Sequence, residues 1–463
     1  MPLDWATPDA TRIELFVTRL GELDAPEKQI WLLDGGPGGT GAGMTRPDFL
    51  ARFQPARNEI LVLSHRGTGA SSGLSCPAAQ ATLRGPPNPS FLRACLGELE
   101  AQLGRGALVN FNSRHAALDL DHLVERARRP GLPVVIYGNS YGSYWAQRYL
   151  QVAPAGADAM ILDGVLPLDV DLSRETLGMD EAVRSFLSRC DEDATRAGKL
   201  GGRSVDEITA EARELLARNS CAVLRGLPLL AFQGWMESMP DFPETRHLML
   251  AISHLITDCS AESTALLMRF AQRFAPSSIG TGPVGHRFQV PTDNNFNALL
   301  FAWMKTAEFF RPDMDRFAFA ALESSLTFAV PDGVVFFDIQ ESWDVPAFEI
   351  DDSYPATDTS VLLLSGELDH RTLPTWADAV AAALAGPRTH LVRFPHGGHS
   401  LASTTRLPDG TSCQSRILEA FLEDPATAPP TACLAETVAP DLAIESRDAR
   451  DASLLLFGVE EPW

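Results

Sequence analysis

An apolar run from Leu132 to Tyr137 ends in Gly138-Asn139-Ser140-Tyr141-Gly142, and an amphipathic stretch, Tyr144 to Gln151, follows at once. A strand that turns directly into a helix brings backbone against backbone, so a Cβ at either glycine would clash. That order of strand, glycine-flanked serine and helix predicts a nucleophile elbow, with the Ser140 hydroxyl lifted clear of a sheet. The helix N-terminus behind it favours negative charge developing at that point.

The pattern occurs twice. Gly69-Ala70-Ser71-Ser72-Gly73 also fits, but Leu74-Ser75-Cys76-Pro77 follows, and proline is a poor continuation of a helix. Ser71 is therefore read as a loop serine.

Short apolar runs bounded by Gly, Asp or Pro recur around the elbow: Ile13–Val17, Ile30–Leu33, Ile60–Leu63, Val134–Tyr137 and Ala159–Leu162, then Val361–Leu364 and His390–Phe394. Such runs read as buried parallel strands. Amphipathic segments Ala116–Arg128, Tyr144–Gln151 and Trp376–Ala385 lie between them, which predicts an α/β sheet with right-handed crossovers. After Asp163-Gly164-Val165 the pattern changes to helices: Asp180–Arg189, Val205–Ala217, Thr245–Ile256, Glu262–Phe274 and Phe296–Phe310. A helical insertion of that size between strands of one sheet predicts a cap. The expected organisation is a core over residues 1–166, a cap over 167–345 and the rest of the core over 346–463, with the apolar residues of the Pro425–Trp463 tail packed on the core.

The chain of 463 residues carries a net charge of −22, which disfavours nucleic acid and anionic membrane surfaces. No apolar run reaches the roughly 20 residues of a membrane span. None of the seven cysteines forms a CxxC pair, so a zinc or thioredoxin site has little support. Cys76 with Cys95, Cys190 with Cys221 and Cys413 with Cys433 are plausible local couples, leaving Cys259 free. Such couples point to an exported protein, secreted or periplasmic. Met1-Pro2-Leu3-Asp4-Trp5 shows no leader, so the expectation is that one has been removed; a cytoplasmic protein with reduced thiols is the alternative. The residues do not fix an oligomeric state.

A serine nucleophile needs an acid and then a histidine further along the chain. Asp369 follows the run Val361–Leu364 by a few residues and is the expected acid, with Glu367 as the fallback. His399 follows the last run behind Gly397-Gly398 and is the expected base, with His396 as its rival. No third ligand cluster accompanies these histidines, so no metal is expected, and no cofactor. The oxyanion donors are expected to be the backbone N–H groups of Tyr141 and Gly36, the latter in Asp34-Gly35-Gly36-Pro37-Gly38-Gly39-Thr40-Gly41. That loop also spells a dinucleotide fingerprint. The next strand, however, ends in Ser64-His65-Arg66 without the carboxylate a ribose would need.

With these residues in place the chain resembles the prolyl aminopeptidase and tripeptidyl aminopeptidase-like α/β-hydrolase serine peptidases. The resemblance rests on Gly35-Gly36-Pro37-Gly38, Arg66-Gly67-Thr68-Gly69-Ala70-Ser71, Gly138-Asn139-Ser140-Tyr141-Gly142-Ser143, Leu162-Asp163-Gly164-Val165, Ser365-Gly366-Glu367-Leu368-Asp369 and Gly398-His399. It implies an α/β-hydrolase fold with a large helical cap, and release of one or a few residues from a free peptide N-terminus without metal. Three positions depart from the family pattern: Asp34 where His is common, Ser64 where an acid is common, and Thr306-Ala307-Glu308 where a Cys-x-Glu segment is common. An aminopeptidase must neutralise an ammonium group near the scissile bond; Glu308 is the first candidate and Glu237 the second. The rival expectations are the same triad acting on esters, lactones or small amides, and a binding protein that keeps the fold without catalysis.

Overall fold

The computed structural model describes residues 1–83, 88–189, 198–221, 224, 227–274, 296–346, 348, 350–399 and 401–463. Seven strands form one sheet: β1 (Val17–Gly21), β2 (Gln29–Leu33), β3 (Glu59–Leu63), β4 (Val134–Asn139), β5 (Ala159–Asp163), β6 (Ser360–Gly366) and β7 (Thr389–Phe394). Their order is β1-β3-β2-β4-β5-β6-β7, and among them only β1 runs antiparallel to its neighbour. In the central strands β2 to β5 both faces are covered, so successive residues feed two separate cores. Trp31, Leu33, Leu61 and Ile136 face one; Ile30, Leu32, Ile60 and Tyr137 face the other.

The first strand lies four residues later than the expected Ile13–Val17. Ile13 is buried, but its N–H bonds to Met1 O at 2.9 Å, and the N–H groups of Glu14 and Phe16 bond to the hydroxyls of Ser72 and Ser71. Those side-chain acceptors replace a strand partner. The segment that does pair with β3 is an edge that buries one face only, so it needs no continuous apolar run. Ser71 also donates to Ser64 O at 2.8 Å, which fixes it as a structural serine. Pro77 opens a short helix, Pro77–Thr82, rather than ending one, but six residues beyond Ser71.

The insertion expected as one cap packs as two groups. Helices Glu175–Ser188, Val205–Ala217, Leu229–Ser238, Met249–Asp258 and Ala261–Arg273 share their own apolar cluster. Helices Ala298–Met304 and Val334–Ser342 instead belong to the cluster that includes the sheet. Trp303 and Trp343 there donate their indole N–H groups to Phe111 O and Leu92 O, at 3.0 and 2.8 Å. The helix expected over Phe296–Phe310 is a short α-helix continued by a π-turn, Lys305–Phe309. The tail divides: Cys433 and Leu434 pack on the sheet's core as expected, whereas Leu442, Ile444, Ala449, Leu456 and Phe457 pack into the first group of the insertion.

Disulfides join Cys76 to Cys95 and Cys413 to Cys433, as expected, and Cys221 to Cys259. Cys259 is therefore not free. It ends the helix Met249–Asp258, which packs on Val205–Ala217, so the fold brings it within 5.8 Å of Cys221, Cα to Cα. Cys190 lies outside the described residues. Among the described residues no helix is long and apolar enough to cross a membrane.

Candidate active site

Ser140 sits between β4 and the helix Tyr141–Val152 with φ 55° and ψ −123°. A non-glycine residue holds that conformation only when its surroundings impose it. Here the Ser140 N–H bonds to Asp163 O on β5 at 2.8 Å, and its carbonyl accepts the Ser143 N–H at 2.8 Å. The flanking glycines are required by contact. A Cβ on Gly138 would overlap Gly142 O, and one on Gly142 would overlap Leu33 O at the end of β2.

Asp369 and His399 stand past the ends of β6 and β7, and their loops are tied together by the Leu368 N–H to Gly397 O bond of 2.9 Å. The buried Asp369 carboxylate accepts the N–H groups of Arg371 and Thr372 at 2.9 and 2.8 Å and the Thr372 hydroxyl at 2.6 Å. Its Oδ2 meets His399 Nδ1 at 3.0 Å. Burial would raise the Asp369 pKa, but the His399 charge and these hydrogen bonds outweigh it and hold the carboxyl below its usual range. On His399 burial opposes protonation, and the Asp369 charge and hydrogen bond outweigh it, so its pKa is raised. With Nδ1 engaged, Nε2 is the nitrogen left to act. The fallback Glu367 is solvent-exposed and 3.9 Å from Arg189. His396 is half-buried, and its Nδ1 has no hydrogen-bond partner.

The glycine loop after β2 packs on the elbow: a Cβ on Gly35 would lie 3.0 Å from Ser140 Cβ. Gly36, at φ 123°, lines the same cavity as Ser140. Asp34, where a family histidine was the comparison, accepts the N–H groups of Gly35 and Gly41 at 2.8 and 2.9 Å and so closes the loop on itself. From the other side the insertion supports it. The Asn297 N–H bonds to Gly38 O at 2.8 Å, and Phe296 makes an antiparallel bridge with Gly39. Tyr141, the other expected donor, opens the elbow helix, and its hydroxyl is 3.0 Å from Nε2 of the buried His65. Burial lowers the His65 pKa to about 3, so that ring is neutral.

Ser140 and His399 line one cavity of about 250 Å³ beneath the insertion. Glu175, Glu237 and Asp332 are its acids; Lys305 and Arg371 are its bases. Lys305 pairs with Glu175 at 2.6 Å, and Arg371 with Asp241 at 2.7 Å and Glu237 at 3.7 Å. Burial, then the charges of Asp332 and Glu175, raise the Glu237 pKa against the pull of Arg371. Glu308, the first candidate for binding an amine, is not on this wall. Its buried carboxylate turns to Ser113, taking the N–H at 2.8 Å and the hydroxyl. Glu308 shares the π-turn Lys305–Phe309 with Lys305, but of the two only Lys305 lines the cavity. Sequence reading missed Glu175, Asp332, Lys305 and Arg371. Arg371 stands two residues past the acid and was the most accessible of these; the other three sit in helices and loops without a motif. Among the described residues no group of three His, Cys, Asp or Glu side chains is placed to hold a metal ion.

A mostly parallel sheet in this order, with the serine elbow after β4, the acid after β6 and the histidine after β7, under a helical insertion, is the α/β-hydrolase fold. No family model matches the chain. A curated protein, the UDP-N-acetylglucosamine--N-acetylmuramyl-(pentapeptide) pyrophosphoryl-undecaprenol N-acetylglucosamine transferase of Acidothermus cellulolyticus, is 31% identical over 151 residues. That stretch covers 29% of this chain and 40% of that protein, so the chain spans well under two thirds of this relative. Solved structures similar to the chain include two esterases and a proline iminopeptidase-related protein. The esterase from Exiguobacterium antarcticum is 14% identical with TM-score 0.35, over 90% of this chain and 96% of that one. The proline iminopeptidase-related protein from Thermus thermophilus is 17% identical with TM-score 0.36, over 90% and 95%. A thermophilic esterase from Thermogutta terrifontis is 13% identical with TM-score 0.32, over 90% and 95%.

Proposed function

We propose that this protein is a serine hydrolase that releases one or a few residues from the free N-terminus of peptides. The observation that carries the reading is a serine and an imidazole on one cavity, the imidazole braced by a buried aspartate, with three carboxylates on the same wall. In this reading Ser140 Oγ attacks the scissile carbonyl and His399 Nε2 takes its proton. Asp369 holds Nδ1–H and balances the imidazolium. The N–H groups of Tyr141 and Gly36 hold the oxyanion, each donor contributing on the order of 3 kcal/mol at the transition state. The imidazolium then protonates the departing nitrogen, and water repeats the sequence on the acyl-enzyme. Glu237, with Asp332 and Glu175 beside it, receives the substrate ammonium.

The second reading is the same triad on esters, lactones or small amides, favoured by the apolar part of the wall, Leu166, Leu172, Met179, Phe296 and Phe301. Hydrolysis of free and N-acetylated peptide anilides separates the two. The aminopeptidase reading expects a strong preference for the free amine, and equal rates would defeat it. Labelling of Ser140 by a fluorophosphonate is expected under both; its absence would leave a binding protein. Three disulfides fit an oxidising compartment, and we place the protein outside the cytoplasm, secreted or periplasmic.

A further inference from the structure

His399 lines a second cavity, of about 510 Å³, between the segment after the oxyanion loop and the segment after the histidine. Arg46, Arg52 and Arg406 stand on its wall, with Asp48 and Asp163 as the acids. Arg46 reaches Asp48 at 2.7 Å, both of them largely in solvent. The Arg52 guanidinium lies over the Phe49 ring, 3.9 Å from its centre. Asp163 is buried and held by the Tyr137 hydroxyl at 2.6 Å and Gln414 Nε2 at 3.0 Å. Burial pushes its carboxyl above the usual range.

The chain as a whole has 60 acidic residues against 38 basic ones, yet here three arginines face two acids. The cavity beneath the insertion, which shares His399, has the opposite balance of three acids to two bases. Acyl transfer gives that arrangement a use. The acyl half of the substrate stays bonded to Ser140, whereas the leaving half must lie beside the imidazolium that protonates it.

We propose that the arginine-lined cavity is the leaving-group subsite, and that it takes fragments bearing a carboxylate. The proposal rests on the acyl-transfer reading above. As the C–N bond breaks, the acyl group remains as the Ser140 ester. The His399 Nε2 proton goes to the departing nitrogen, and the fragment leaves as an amine with its carboxylate among the guanidiniums. Arginine suits that ligand because its planar fork matches a carboxylate. On this reading the substrate is a short peptide free at both ends, its ammonium beneath the insertion and its carboxylate among the arginines.

Two substrate pairs test this. One is a short peptide ending in a carboxylate or a carboxamide. The other is one acyl group esterified to para-hydroxybenzoate or para-hydroxybenzamide. The wild type is expected to favour the carboxylate member by roughly five- to tenfold in kcat/KM, more at low salt. The combined variant Arg46→Gln, Arg52→Gln, Arg406→Gln is expected to bring the ratio close to unity. Because the readout is a ratio within one protein, a general loss of activity cancels. No preference in the wild type overturns the proposal, and so does a preference that survives in the triple variant. Turnover of the ester pair alone would defeat the aminopeptidase reading while the ester ratio still decides the subsite.

Discussion

Asp369 and His399 each sit where burial alone would neutralise them, and each keeps its charge-bearing form in reach through the other. The base must be neutral to accept a proton. Activity is therefore expected to fall as pH drops through a midpoint above the ordinary imidazole value of 6.5. Asp369→Asn removes the counter-charge and leaves the burial. Its kcat is expected to fall about 10⁴-fold, with the remaining acid limb displaced downward, as a pH–rate profile would record. Glu237 must be ionised to hold an ammonium, and its pKa is raised, so amine affinity is expected to weaken as the solution becomes acidic. Glu237→Gln is expected to shrink the ratio of kcat/KM between free and N-acetylated anilides by about tenfold. Residues of this kind differ in how far the chain announces them. Ser140, Asp369 and His399 each follow an apolar run that ends in glycine or a turn. Glu237 and Glu308 are both helical glutamates in an insertion, and nothing local in the sequence separates the one that lines the cavity from the one that turns to Ser113.

Among the elements, the turn at Ser140 is the most constrained. Gly142→Ala would set a Cβ against the backbone oxygen of Leu33, which cannot rotate away. A loss of more than about 3 kcal/mol is expected, seen as a lowered urea midpoint or a failure to fold. Gly97 offers the contrast. It lies inside the helix Pro89–Leu103 with nothing within 4 Å of an added Cβ. Gly97→Ala is expected to stabilise by about 0.5–1 kcal/mol in the same experiment. The central strands were legible because burial on both faces demands continuous Val, Ile and Leu. The edge strand was not, because half of it faces water. The helix Pro89–Leu103 was hidden by a proline that serves as its first residue and by Gly97 in its middle.

On the scale of the whole molecule, alternation of strands and helices revealed the sheet and the place of the insertion. How the insertion divides depends on contacts far apart in sequence, which no local pattern records. Its first group is closed by the tail: the Asp441 N–H bonds to His247 Nδ1 at 2.8 Å, and Lys199 Nζ to Ala443 O at 2.7 Å. Ending the chain at Pro440 would uncover the apolar surface that Leu442, Ile444 and Phe457 now fill. That truncation is expected to bind a hydrophobic dye, to be cut by trypsin between residues 198 and 274, and to melt at a lower temperature. The other group behaves as part of the scaffold. Since Phe296 and Asn297 are stitched to Gly38 and Gly39, anyone grafting this insertion onto another scaffold as a cassette would tear the backing from the glycine loop beside Ser140. The transplantable piece is the tail-bound half alone.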